Sequence, residues 1–96
     1  MKLVWTRKAK LKLEAILNHI ESEFGTTTRD QFRKRTKEFT SLLAKFPEIG
    51  EVEVRDRRIR GFQITKQTRL FYRLTDTRIT ILTLFDTRQD PSKRLR

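Results

Sequence analysis

The sequence predicts an α+β domain: an N-terminal strand and an antiparallel two-helix hairpin packed on an antiparallel sheet of three to four strands. Three observations carry this expectation. Apolar residues recur twice at helical spacing in the first half of the chain, the pattern changes to alternation after Pro47, and short connections make neighbours of successive elements.

The opening Lys2-Leu3-Val4-Trp5-Thr6 is short, apolar and β-favouring, a strand that leads directly into a helix with Thr6 as N-cap. From Arg7 to Phe24, the residues Leu13, Ile16, Leu17, Ile20 and Phe24 line one helical face. Gly25, free to take positive φ, ends that helix. Thr28 and Gln31 have the spacing of a capping box, so a second helix is expected from Thr28 to Phe46, with Phe32, Thr36, Phe39, Leu43 and Phe46 on one face. Pro47 lacks the amide hydrogen a helix needs and stops it, and the short Gly25-Thr26-Thr27 connection makes the helices antiparallel neighbours. Beyond Pro47, Val52 and Val54, then Phe62 and Ile64, then Leu70, Tyr72 and Leu74, then Ile79 and Ile81 mark successive strands. Polar breaks at Arg55 to Arg58, Lys66-Gln67 and Asp76-Thr77 are short enough for hairpins. The apolar face of this meander covers the stripes of the helical hairpin, because neither layer can bury its own face alone.

A length of 96 residues bounds the chain to one domain, residues 1–96, with one core. With 35% hydrophobic and 36% charged residues, that core depends on seven Phe and the aliphatic side chains. No run approaches the roughly 20 apolar residues that cross a bilayer, and no signal-peptide segment opens the chain, so a cytoplasmic protein with no membrane partner is expected. Absence of cysteine fits that compartment and excludes disulfides, thiolate nucleophiles and Cys-based zinc sites. There are 23 Lys and Arg against 12 Asp and Glu, a net charge of +11. That exceeds the magnitude of about 2–8 that solubility asks of a small domain, and it points to nucleic acid, an acidic protein partner or an anionic surface.

The inventory for chemistry is thin, with one His and one Tyr. His19 reads as a helix-surface residue near the end of its helix. Gly25, Gly50 and Gly61 stand alone, which excludes a phosphate-cradling glycine loop. Asp76, Asp86 and Asp90 fall in turns without the spacing that would gather them on a metal, so neither metal nor cofactor is implied. Arginine remains. Arg69, Phe71 and Arg73 alternate with Leu70, Tyr72 and Leu74, which puts two guanidinium groups and a ring on one strand face. Such a face could stack bases, grip phosphate and stabilise charge growing on phosphorus. The same arginines could equally pair with carboxylates such as Asp76 or face water.

Four phrases now come together: Val4-Trp5-Thr6 with Ala9, Phe46-Pro47-Glu48-Ile49-Gly50, Arg69-Leu70-Phe71-Tyr72-Arg73, and Leu84-Phe85-Asp86-Thr87-Arg88-Gln89-Asp90-Pro91. In this order and at this length the chain resembles toxins of the RelE/ParE family, from Leu3 to Pro91. The resemblance implies the toxin of a type II toxin-antitoxin pair, silenced by a cognate antitoxin that wraps it with an extended or helical segment. A basic chain suits an acidic or amphipathic segment of that kind. RelE-like members cut mRNA on the ribosome with basic residues and often a C-terminal tyrosine. On this chain Arg69 and Arg88 match that set, whereas its paired lysines fall at Gln63 and Thr65 and no tyrosine follows Arg88. Arginine exchanges protons poorly, so a metal-independent endoribonuclease would lack its acid and base. ParE-like members poison DNA gyrase without chemistry of their own, and the Arg-Gln-Asp-Pro ending looks more like theirs. The resemblance therefore implies a ParE-like toxin first and a RelE-like mRNA endonuclease as the alternative. Arg69, Phe71, Arg73 and Arg88 are the candidates for target or nucleic-acid binding, and Arg69 and Arg88 are the candidates for catalysis if there is any. A non-catalytic nucleic-acid-binding module is the alternative of another class, since a helix-backed basic sheet with exposed rings can bind RNA. Gly61-Phe62-Gln63-Ile64 lacks the basic-glycine-aromatic run that would favour it.

Overall fold

The computed structural model describes residues 1–88; Gln89, Asp90 and Pro91, on which part of the ParE-like ending rests, lie outside the described residues. Among those described, the chain runs β1 (Lys2–Trp5), α1 (Arg7–Phe24), α2 (Thr26–Lys45), β2 (Glu51–Val54), β3 (Ile59–Gln63), β4 (Thr68–Leu74) and β5 (Arg78–Asp86). The two helices lie on a five-stranded sheet of order β1-β5-β4-β3-β2. The expected α+β class is found, and the sheet is larger than the meander because β1 joins it. β1 runs parallel to β5, with Leu3 opposite Ile79 and Trp5 opposite Ile81, while the remaining pairs are antiparallel. The meander leaves β5 with one unpaired edge, and a lone strand satisfies its own backbone groups by taking that edge.

Thr6 fastens this junction. Its hydroxyl oxygen accepts from the Ala9 amide at 3.0 Å, the N-cap bond expected of it, and its hydroxyl donates to the Leu82 carbonyl at 3.1 Å. Leu82 is the extra residue of a bulge in β5, since Phe71 opposes Thr83 and Tyr72 opposes Ile81. α1 buries Ala9, Ile16, Leu17 and Ile20, and α2 buries Phe32, Thr36, Phe39 and Leu43. These meet Leu70, Tyr72, Ile79, Ile81 and Leu84 of the sheet in one core, with Leu13 partly buried at its side. Phe39 stacks on Phe62 with ring centroids 4.3 Å apart.

The reversal between the helices is tighter than the expected three-residue connection. Gly25 alone turns the chain, at φ 91° and ψ 175°, a conformation essentially restricted to glycine. The expected capping box at Thr28 and Gln31 is not formed. α2 has already begun at Thr26 without a side-chain cap, and the Thr28 hydroxyl donates instead to the Phe24 carbonyl at 3.3 Å. Phe24 and Phe46, expected on buried stripes, are exposed. Phe24 sits at the hairpin tip, and Phe46 has left helical dihedrals (φ −130°, ψ 76°) under the constraint of the following proline. Every residue of β2 is exposed as well, so Val52 and Val54 do not join the core. α2 ends at Lys45, and no helix of the described residues reaches over that edge.

Candidate functional site

Alternation along β4 places Leu70 and Tyr72 against the helices and Arg69, Phe71 and Arg73 on the open face, as the sequence predicts. Opposite Arg69 stand Gln63 on β3 and Phe85 on β5, and opposite Phe71 stand Gly61 and Thr83. Arg69 reaches across β3 to β2. Its Nε donates to Glu53 Oε1 at 2.9 Å, its Nη2 donates to the same oxygen, and Glu51 lies 3.7 Å away. That reach requires Gly61, since a Cβ there would come within 2.9 Å of Arg69 Nε. The guanidinium also lies over the Phe71 ring, 5.8 Å from its centroid. Arg73 Nε donates to the Arg57 carbonyl at 3.0 Å, which braces the β2–β3 turn. Gln63 and Thr65 serve the β3–β4 turn: Gln63 Nε2 donates to the Thr65 carbonyl at 2.9 Å, and Thr65 Oγ1 accepts from the Thr68 amide at 3.1 Å.

Arg88 lies on the other side of the sheet. Asp86, at the end of β5, points into the helix side, where it is buried. The Thr68 hydroxyl donates to it, Arg88 Nε donates to Oδ1 at 3.0 Å and Nη2 to Oδ2 at 2.7 Å, and the Arg88 amide donates to Oδ1 at 2.9 Å. The Arg88 guanidinium caps the Phe32 ring of α2 at 5.8 Å. Burial pushes the Asp86 carboxyl up, but the bonds from Arg88 and Thr68 outweigh it and hold the group below the ordinary carboxylate range. Asp86 is therefore a strand-end carboxylate committed to Arg88 rather than a turn residue, while Asp76 is exposed beside Arg58 at 3.7 Å. Tyr72 is fully buried: its hydroxyl donates to the Pro47 carbonyl at 2.7 Å and accepts from the Gly50 amide at 2.9 Å. A Cβ on Gly50 would lie 2.7 Å from that hydroxyl, which gives the Phe46-to-Gly50 phrase its physical reason. His19 lies on α1, half-buried.

The sequence profile of one family, described as the ParE toxin of type II toxin-antitoxin systems, parDE, matches residues 3–91. The chain belongs to the ParE toxin family. No curated protein sequence matches it. Among solved structures it is similar to a protein of the chromosomal ParDE system of P. aeruginosa, with 24% identity, a TM-score of 0.74, and coverage of 90% of this chain and 95% of that one. It is also similar to a YoeB/ParE toxin from Agrobacterium tumefaciens (16% identity, 90% and 98% coverage, TM-score 0.65) and to YafQ from E. coli (9% identity, 92% and 94% coverage, TM-score 0.62). At these identities the likenesses concern the fold alone.

This ParE-family chain carries one further feature that sequence reasoning did not locate. A groove of about 1130 Å³ opens between the end of α2, the 46–50 turn and the β2–β3 hairpin, with Leu42, Phe46, Ile49, Val52, Ile59 and Leu74 among its lining residues. The available signal was the apolar content of Phe46, Val52 and Val54. It read as core, because periodicity does not say whether a second layer extends over a strand.

Proposed function

We propose that this chain is the growth-inhibiting component of a toxin-antitoxin pair, held silent in the cytoplasm by its antitoxin, and that it acts by poisoning DNA gyrase rather than by cutting mRNA. The observation that carries the choice is the employment of Gln63 and Thr65. These stand where RelE-like enzymes carry lysines, and both hold the β3–β4 turn through hydrogen bonds that leave no acid or base in their place. Arg69 and Arg88, the two matching arginines, are each engaged by a carboxylate and lie on opposite sides of the sheet. A cleavage site needs a group to take the 2′-hydroxyl proton and another to protonate the leaving oxygen, each contributing about 10²-fold or more. Gyrase poisoning asks for a binding surface only, and Arg69, Phe71 and Arg73 offer one on the open face.

Two assays on the purified chain test the reading: supercoiling by gyrase with a read-out for trapped cleavage complexes, and toeprinting of translating ribosomes for cuts in the mRNA. Gyrase is expected to respond and the mRNA to survive. Codon-specific cleavage that disappears in Arg69→Ala or Arg88→Ala would overturn the choice in favour of a RelE-like endonuclease.

A further inference from the structure

α2 covers the sheet on the side opposite the open face, and its outward side carries charge that the described chain does not answer. Six cations lie on it, Arg29, Arg33, Lys34, Arg35, Lys37 and Lys45, against the two carboxylates Asp30 and Glu38. Among the described residues, Arg29 alone of the six lies within ion-pair distance of a carboxylate, meeting both Glu21 and Asp30. The other five are exposed. Like charges three and four residues apart repel along a helix, as Lys34 and Arg33 do toward Lys37, so this placement costs the helix stability in the absence of a counter-charge.

The cations form a track. Lys34, Lys37 and Lys45 line one shallow concavity of about 400 Å³ with Glu38, Ser41 and Leu42. Lys34 also borders a second, of about 420 Å³, which Arg35 and Arg88 line. Arg35 is fixed there, since its Nε donates to the Ile64 carbonyl at 2.9 Å, and its remaining guanidinium nitrogens find no acceptor among the described residues. From Lys34 to Lys45 the helix rises about 16 Å, which matches the axial rise of roughly five nucleotides of one strand at 3.4 Å each.

The chemistry of this face discriminates among anionic partners. A protein partner draws its affinity from apolar and aromatic anchors, and from Arg33 to Lys45 the one exposed large apolar residue is Leu42. Entry into a lipid surface needs the apolar stripe of α2, which Phe32, Phe39 and Leu43 have already committed to the core. Single strands are gripped by stacking their bases on rings, and no exposed ring lies between Arg33 and Lys45. A duplex turns its bases inward and offers a regular row of phosphates, which flexible cations on a straight helix satisfy without reading sequence.

We propose that the outward face of α2 binds the phosphate backbone of duplex DNA, without sequence preference, through Arg33, Lys34, Arg35 and Lys37. This deepens the gyrase reading and rests on it for the choice of DNA over duplex RNA: the face holds the toxin on the DNA that gyrase has cut, while the open face of Arg69, Phe71 and Arg73 stays free for the enzyme.

The test is fluorescence anisotropy of labelled 20-base-pair DNA with the whole chain across a salt series, without gyrase. Two triple variants are compared, each removing three of the eleven net positive charges. One is Arg33→Gln, Lys34→Gln and Lys37→Gln on α2; the other is Lys2→Gln, Arg57→Gln and Arg78→Gln, exposed positions on β1, the β2–β3 turn and β5. The α2 variant is expected to lose about tenfold or more in affinity, and its slope of log affinity against log salt to flatten by about 3, one for each lost phosphate contact. The other variant should stay within about threefold of the parent. An unchanged thermal midpoint for both separates lost binding from lost folding. Equal losses in the two variants would mean that net charge rather than α2 attracts the DNA, and would overturn the proposal. So would no duplex binding at low salt, tighter binding of the single strand or of duplex RNA, or an α2 variant that loses the antitoxin while keeping the duplex. Failure of the gyrase reading appears separately, as untouched supercoiling by gyrase in the presence of a chain that still binds duplex DNA through α2.

Discussion

At the scale of single residues, Asp86 shows how a carboxylate can be kept charged while buried. Taken alone, burial would favour its protonated form, and three bonds from Arg88 together with the Thr68 hydroxyl reverse that preference. Its folded-state affinity for protons is therefore lower than in the unfolded chain, so it contributes stability that is fully present above the ordinary carboxylate value of about 4. That contribution is lost as pH falls through the lower folded-state value. Asp86→Asn leaves the Arg88 guanidinium without its counter-charge and is expected to cost about 3 kcal/mol at neutral pH. Urea unfolding of both proteins across the acid range checks this: the gap between them should be full near pH 7 and should shrink below pH 4. A gap of constant size down to the most acid pH would mean that the Asp86 charge is not what stabilises the end of β5.

The β2–β3 hairpin shows the same logic for an element. It has no buried residue in β2, a register shift between Val52 and Val54, and it is held by the ladder to β3, by Arg69 on Glu53 and by Arg73 on the Arg57 carbonyl. Its turn contains Arg58 at φ 57°, the left-handed region, which costs a non-glycine residue roughly 1–2 kcal/mol. The exposed partner of Arg58, Asp76 at 3.7 Å, offsets little of this. Arg58→Gly is expected to stabilise the fold by about 1 kcal/mol, read as a rise of about 4–8 °C in thermal midpoint for a domain of this size. A fall in the midpoint would show that the Arg58 side chain contributes more than its backbone strain removes. In the sequence, Arg55 to Arg58 reads correctly as a turn, but positive φ at an arginine has no local signature and emerges only from the register of the strands it joins.

For the whole molecule, the dominant quantity is the net charge of +11. A field of that size accelerates encounter with an acidic partner and adds less to the lifetime of the complex once short-range contacts have formed. Measured by stopped flow with the antitoxin, the association rate constant is expected to fall about tenfold or more from low to high salt, as screening shortens from about 30 Å to a few Å. The dissociation rate constant should change much less. An association rate indifferent to salt would mean that the charge plays no part in bringing partners to this surface.

The sequence by itself determined whatever depends on near neighbours along the chain. Helical stripes through Ile16, Leu17, Phe32 and Phe39, the Thr6 cap, the stops at Gly25 and Pro47, and the placing of Arg69, Phe71 and Arg73 on one strand face all follow from backbone period and local hydrogen bonding. Those features are legible because a few residues suffice to specify each. Tertiary structure decided what residues distant in sequence do on meeting. β1 took the free edge of β5, Arg69 crossed Gly61 to Glu53, and Arg88 turned to Asp86 and Phe32 on the helix side of the sheet, away from Arg69. The groove was decided in the same way. Val52 and Phe46 are as apolar as any core residue, and only the length of α2, which ends at Lys45, determines that no layer of the described chain covers them. Hydrophobic patterning states which side chains shun water, whereas the three-dimensional arrangement of the layers determines which of them are covered.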